Sequence, residues 1–169
     1  MASMQPDDPG APASIDFDEM FRDRYWPMVR SLAVACGDAQ AAEDAVQDAF
    51  ERAFVRWRRI SRYDDPPSWV RHVAMNRLRD HFRREQHGRT AVERIGARPD
   101  AVEPEPNVES GVSALLQQLP PQQRIAAALF YVDDLSVAEI AASMKLSEGA
   151  VKYHLHAARR ALAGKVGAA

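Results

Sequence analysis

An all-α protein, made of two small helical domains joined by a flexible linker and ending in a helix-turn-helix, is the fold this sequence predicts. Three observations lead there. Apolar residues recur at spacings of three and four through residues 15–95 and again through 112–164. Prolines and acids separate the two stretches. Near the end, two serines stand where consecutive helices would start, with a short turn between them.

Residues 1–14 are Pro, Asp, Ala and Gly without periodicity and read as a disordered leader. Phe17, Met20, Phe21, Tyr25, Met28, Val29 and Leu32 then mark an amphipathic helix, with Pro27 as a candidate kink. Gly37 and Asp38 break the pattern before a second helix over 41–60, whose expected buried stripe is Val46, Ala49, Phe50, Ala53, Phe54 and Trp57. Residues 61–67, SRYDDPP, read as a loop, and Ser68 as the N-cap of a third helix over 69–85. This first domain is expected to span 15–95. The segment 96–111, GARPDAVEPEPNVESG, reads as an extended, mobile linker that lets the two domains place themselves independently. The second domain, 112–164, begins with a helix over 112–118, and Pro121 opens another over 121–132. Ser136 with Glu139 fits a capping box for a helix to Ser143, and Ser147 caps a last helix over 148–163. Residues 165–169 form a tail.

The net charge of −2 conceals four blocks of alternating sign. Residues 1–51 hold three arginines against eleven acids, and 52–94 hold twelve arginines against five acids. Residues 95–142 return to a balance of −5, and 143–169 end at +4. Phosphate attraction acts within about a Debye length, ~8–10 Å, so local charge decides nucleic-acid binding. Two basic modules, each preceded by an acidic one, are therefore expected to bind at two places. No apolar run is long enough for a membrane span and no secretion signal opens the chain, so a cytoplasmic protein with no membrane partner is expected. The single cysteine, Cys36, lies among small apolar residues and reads as buried. His72, His81 and His87 do not share a helical face, so neither a metal nor any other cofactor is expected. Asp64 and Asp65 read as turn formers, and no catalytic residue is expected.

The helix-turn-helix reading makes specific demands. Ile140, Ala141, Leu146, Val151 and Leu155 supply the aliphatic crossing between its helices. Ser147, Glu148, Lys152, Tyr153, His156, Arg159 and Arg160 would then face a major groove. The helix over 69–84 is different. Arg71, His72, Asn76, Arg79, Arg83 and Arg84 give it a polar face, while Trp69, Val73 and Phe82 hold the other side. Aromatics beside arginines suit single-stranded nucleic acid, although on composition alone Trp69 reads first as core.

Three motifs carry a resemblance. AEDAVQDAF at 42–50, YDDPPSWVRHVAMNRLRDHFRR at 63–84, and 119–162 with Leu119-Pro120 and Glu139-Ile140-Ala141 resemble regions 2.2, 2.3 to 2.4 and 4 of bacterial RNA polymerase sigma factors. The type resembled is the small extracytoplasmic-function (group 4) kind, in its actinobacterial style. The resemblance implies a transcription initiation factor that is not an enzyme. It would dock on core RNA polymerase through Asp44, Gln47, Asp48 and Glu51. Its loop 61–67, with Arg62, Tyr63 and Asp64, and the following helix around Asn76 would capture a flipped base of the single-stranded non-template strand at the minus-ten element. Region 4 would read duplex promoter DNA at minus thirty-five, and an anti-sigma factor is a candidate further partner. The recognition helix departs from the family's Thr-Val-Lys-Ser-Arg, having Ala150 to His154 there and Ala157 where a base is common, which points to an unusual or weakly bound minus-thirty-five sequence. The alternative reading is a free-standing helix-turn-helix regulator, which would need a dimer surface beyond the motif.

Overall fold

The computed structural model of the chain describes residues 15–95 and 110–166. The leader expected over 1–14, the linker up to residue 109 and the last three residues lie outside the described residues. All regular structure among the described residues is helical.

Helix α1 (Phe17–Cys36) contains Pro27 and buries Met20, Met28 and Leu32. It ends at Gly37, whose φ of 77° is in the left-handed region. A Cβ there would also come within 3.2 Å of the end of the Gln117 side chain, which would have to shift by a few tenths of an ångström, so the backbone angle is the stronger reason for glycine. Helix α2 (Ala39–Val55) is capped by Asp38, whose carboxylate accepts the Ala41 N–H at 2.9 Å.

The single helix expected over 41–60 is two. At Arg56 the backbone N–H is shared between the carbonyls of Arg52 and Ala53, each at 3.2 Å, and a short α3 (Trp57–Ile60) follows. After the break Ile60 is buried in the core. Phe54, expected in the buried stripe, is 66% exposed.

Helix α4 (Pro66–Ile95) starts earlier and runs further than its expected 69–85. Asp65, and not Ser68, closes its N-terminus: the carboxylate accepts the Ser68 N–H at 3.1 Å and the Ser68 hydroxyl at 2.5 Å. Two prolines suggested a loop, but in a helix's first turn the missing N–H would have had no partner anyway.

Helices α5 (Ser110–Gln117), α6 (Pro121–Tyr131), α7 (Val137–Met144) and α8 (Glu148–Val166) follow. The capping box is formed: Ser136 Oγ accepts the Glu139 N–H at 3.2 Å and Glu139 Oε2 accepts the Ser136 N–H at 2.8 Å. Lys145, with φ 56°, turns the chain out of α7, and Ser147 Oγ accepts the Ala150 N–H at 3.1 Å at the start of α8.

The halves expected to move independently are packed on each other. Met28, Leu32, Val70 and Ala74 from one and Leu129, Leu135 and Ile140 from the other belong to one continuous core. Helix α1 packs on α5 and α6, and α4 packs on α7. Gln117 donates to the Val34 and Ala35 carbonyls at 3.3 and 3.0 Å, satisfying acceptors that the end of α1 would leave open. The linker's composition governs only the linker. The apolar faces on either side of it are what bring the halves together.

Candidate nucleic-acid interface

The recognition helix has the division of faces that groove reading needs. Val151, Leu155 and Ala158 are buried, so residues on the opposite side are turned outward. Ser147, Glu148, Lys152, Tyr153, His156, Arg159 and Arg160 are all exposed, as the sequence led us to expect. Ile140, Ala141, Val151 and Leu155 are buried at the crossing, with Leu146 partly so. Arg159 is held in place: its Nε donates to the Tyr131 hydroxyl at 2.6 Å and its guanidinium lies 5.5 Å from the centre of the Phe130 ring. Tyr131 was not among the expected site residues.

The polar face of α4 is partly as expected. Arg79, Arg83 and Arg84 are exposed, as are Arg62, Tyr63 and Asp64 in the preceding turn. Trp69 is half-buried and packs against the core. His72, Asn76 and Arg79 form a string along the helix. With His72 Nδ1 donating to the Ser143 carbonyl at 2.9 Å, Nε2 accepts from the Asn76 amide at 3.1 Å. The Asn76 carbonyl oxygen accepts in turn from Arg79 at 3.2 Å. A groove of about 680 Å³ runs between Tyr63, Asp65 and Trp69 on one side and Ala141, Ala142 and Lys145 on the other.

Arg71 does not belong to that face. It is 2% exposed and donates to Ser143 Oγ at 3.0 Å, while its other terminal nitrogen lies 3.3 Å from Asp133 Oδ2. Its Nε has no hydrogen-bond partner among the described residues. Burial lowers the pKa of Arg71 and raises that of Asp133, each opposed by the charge of the other. A guanidinium keeps its proton in proteins nonetheless, so Asp133 is the counterion on which this buried cation depends. Spacing could have found it: 71, 74, 75 and 78 form one helical stripe, and Ala74, Met75 and Leu78 are all buried.

On α2, Asp44, Gln47 and Glu51 are exposed. Asp48 is half-buried and fastened to α4, with Arg77 donating to both its oxygens at 2.6 and 3.0 Å and Arg52 at 2.9 Å. The Arg77 hydrogen bond holds its carboxyl below the usual value, against the opposing effect of burial. Beside this acidic row lies an aromatic patch that the sequence reading missed. Phe21, Phe54 and Val55 are exposed and, with Phe17, Gln47 and Glu51, line a groove of about 580 Å³. Spacing flags only Val55, which lies off the face shared by Phe50, Ala53 and Phe54; nothing in the sequence sets Phe54 apart from that stripe.

Residues 21–88 match the Sigma-70 region 2 family and residues 111–162 match Sigma-70 region 4. The chain is 30% identical over 156 residues to the ECF RNA polymerase sigma factor SigM of Mycobacterium tuberculosis, covering 89% of this chain and 77% of the relative. It belongs to the extracytoplasmic-function sigma factors. A second relative, the RNA polymerase sigma-E factor of Streptomyces coelicolor, is 28% identical over 146 residues, covering 85% of this chain and 82% of its own. The sigma factor also shares its fold with RpoE of Bartonella quintana, solved in complex with the anti-sigma factor NepR (TM-score 0.69, 20% identity, 86% and 93% of the two chains). CnrH, solved with the cytosolic domain of CnrY, is similar at TM-score 0.64 and 22% identity, covering 90% and 88%. As a sigma factor it is a transcription initiation factor that directs RNA polymerase to promoters. None of its described helices is long and apolar enough to cross a membrane.

Proposed function

We propose that this sigma factor docks on core RNA polymerase through Asp44, Gln47, Asp48 and Glu51, with Phe54 and Val55 extending the face. The loop and helix bearing Arg62, Tyr63, Asp64, Trp69, His72, Asn76, Arg79, Arg83 and Arg84 take the single-stranded minus-ten element, with Arg71 buried behind them. Ser147, Glu148, Lys152, Tyr153, His156, Arg159 and Arg160 meet duplex at minus thirty-five. Region 2 is the module over 15–95, region 4 that over 112–164, and 96–111 connects them. Strand opening follows from base capture, which offsets a few kcal/mol of unstacking, so no catalytic residue is needed. The site of action is the cytoplasm, where the polymerase works. An anti-sigma factor is its further partner, in keeping with the complexes in which RpoE and CnrH were solved.

The observation that carries this reading is that one chain presents an outward basic recognition face on α8 and, on α2, an exposed acidic row that DNA would repel. A free-standing regulator has no use for the second. Asp44 and Glu51 are the substitutions of choice, because Asp48 also ties α2 to α4. Asp44→Lys with Glu51→Lys should abolish co-purification with core polymerase while leaving the circular dichroism spectrum intact and duplex binding undiminished. Undiminished holoenzyme formation would remove the docking assignment.

A further inference from the structure

We propose that the chain binds a free amphipathic anion, one carboxylate or phosphate head on an apolar body of about ten carbons, in the cavity between helices α1, α4, α5 and α6. The proposal does not rest on the docking or promoter assignments above.

The cavity has a volume of about 480 Å³ and is walled by both halves of the molecule. Its apolar lining comes from Leu32 and Ala35 on α1, Met75, Leu78 and Phe82 on α4, and Ile125 on α6. Leu32, Ala35, Met75 and Leu78 are buried, so the lining belongs to the packed core and is preformed. A space of roughly 300–1,000 Å³, mostly apolar with a few convergent polar groups, is what small-molecule sites present.

The charge around this lining has one sign. Arg79, Arg83 and Arg124 line the cavity, and no acid does. The other two grooves differ, since the one beside Trp69 includes Asp65 and the aromatic one includes Glu51. Arg124 is the cation that most needs an anion. It is half-buried, it donates to the neutral Gln117 amide oxygen, and none of the ion pairs among the described residues includes it. The Gln117 amide nitrogen is in turn committed to the Val34 and Ala35 carbonyls, which fixes the oxygen that holds Arg124. Arg79 meets only the neutral Asn76, and Arg83 reaches Asp80 at 3.4 Å on the exposed side, so both keep donors to spare. An anionic head offers these guanidiniums two-pronged, charge-assisted contacts while its apolar body covers the lining. A neutral ligand of the same shape would desolvate Arg124 and leave it unpaired.

Cys36 stands in the same wall and is the chain's single cysteine. Its thiol is pushed up to about 11, by burial above all, with the Arg124 charge pulling the other way. It is therefore neutral near pH 7, adds no negative charge to the cavity, and is alkylated only slowly, which makes it a reporter inside the site.

The full chain is treated with N-ethylmaleimide in mildly alkaline buffer, and labelling of Cys36 is followed by mass spectrometry. Dodecanoate and dodecyl phosphate, both below their micelle concentrations, are the probes. Dodecanol, which lacks the charge, and acetate, which lacks the apolar body, are the controls. Half-maximal protection by dodecanoate should fall at about 10–100 μM, and at about ten times that concentration labelling should slow about tenfold, with neither control effective. Arg124→Gln should raise the concentration needed about tenfold; should it fold poorly, Arg83→Gln, at an exposed position, should raise it severalfold. Vesicles of phosphatidylglycerol present the same kind of head on a bilayer. Protection by vesicles without protection by either free probe overturns the free-ligand site. Equal protection by dodecanol, protection by no probe, or unaltered protection in both arginine variants overturns it as well.

Discussion

Removing the basic groups of α8 should change how duplex affinity depends on salt, by an amount the structure lets one work out. Lys152, Arg159 and Arg160 are exposed, and Glu148 is the one acid on the same helix. At a rise of ~1.5 Å per residue, Lys152 stands about 10–12 Å along the axis from the two arginines, so the three can meet separate phosphates. Each phosphate neutralised on duplex DNA contributes about 0.9 to the slope of log affinity against log salt. Lys152→Ala, Arg159→Ala and Arg160→Ala together should therefore flatten the slope by roughly 2.7. Between about 50 and 200 mM salt one contact costs about 3.5-fold in affinity, and three cost about 40-fold. The triple variant should lose that much less over the same range. Fluorescence anisotropy on a random duplex, titrated at several salt concentrations, measures it with the full chain. Tyr131→Phe removes the hydroxyl that fixes Arg159 but no charge, so it should weaken binding at every salt concentration and leave the slope unchanged. An unaltered slope in the triple variant would refute the placement of this face on phosphates.

Two further outcomes concern stability. Ser136→Ala removes the side-chain half of the capping box on α7, leaving the Ser136 N–H to Glu139 bond, and should destabilise the protein by about 1 kcal/mol in urea unfolding, whereas Ser136→Asp should retain most of the stability. Asp48 has a carboxyl pKa below its ordinary 3.8, so its contribution is complete above that value and is lost as pH falls through the folded pKa. Asp48→Asn should accordingly lower the melting temperature at neutral pH and narrow its gap from wild type in strong acid; a gap independent of pH would contradict the role given to Arg77 and Arg52.

What the sequence disclosed and what it withheld divide along a physical line. Local signals were legible: the Ser136 and Glu139 pair, the Ser147 cap and the outward face of α8 depend on residues within a turn or two of each other. Helix ends were less so where two local rules competed, as at Pro66, which stops a helix in mid-course but opens one in the first turn. Contacts across sixty or more positions could not be read at all. Nothing near Asp133 in sequence announces that it meets Arg71, and nothing near Asp48 announces Arg77. Arg71 was assigned to the polar face because it is an arginine, when its spacing from Ala74, Met75 and Leu78 placed it on the buried one.

The alternation of charge along the chain consequently has a second meaning. Read along the sequence, acidic blocks looked like separate surfaces and basic blocks like sites for DNA. In the fold the blocks also neutralise each other: Asp48 from the first acidic block takes Arg52 and Arg77, and Asp133 from the second takes Arg71. Three of the twelve arginines in 52–94 are thereby engaged with acids of other blocks, and none of these three is available to phosphate without breaking a contact. The exposed stretch of Arg79, Arg83 and Arg84 is the part of α4 open to DNA from the start. Arg79 and Arg83 have partners only on their own helix, Asn76 and Asp80, so these exposed cations, and not the buried Arg71, are what the fold leaves for phosphate.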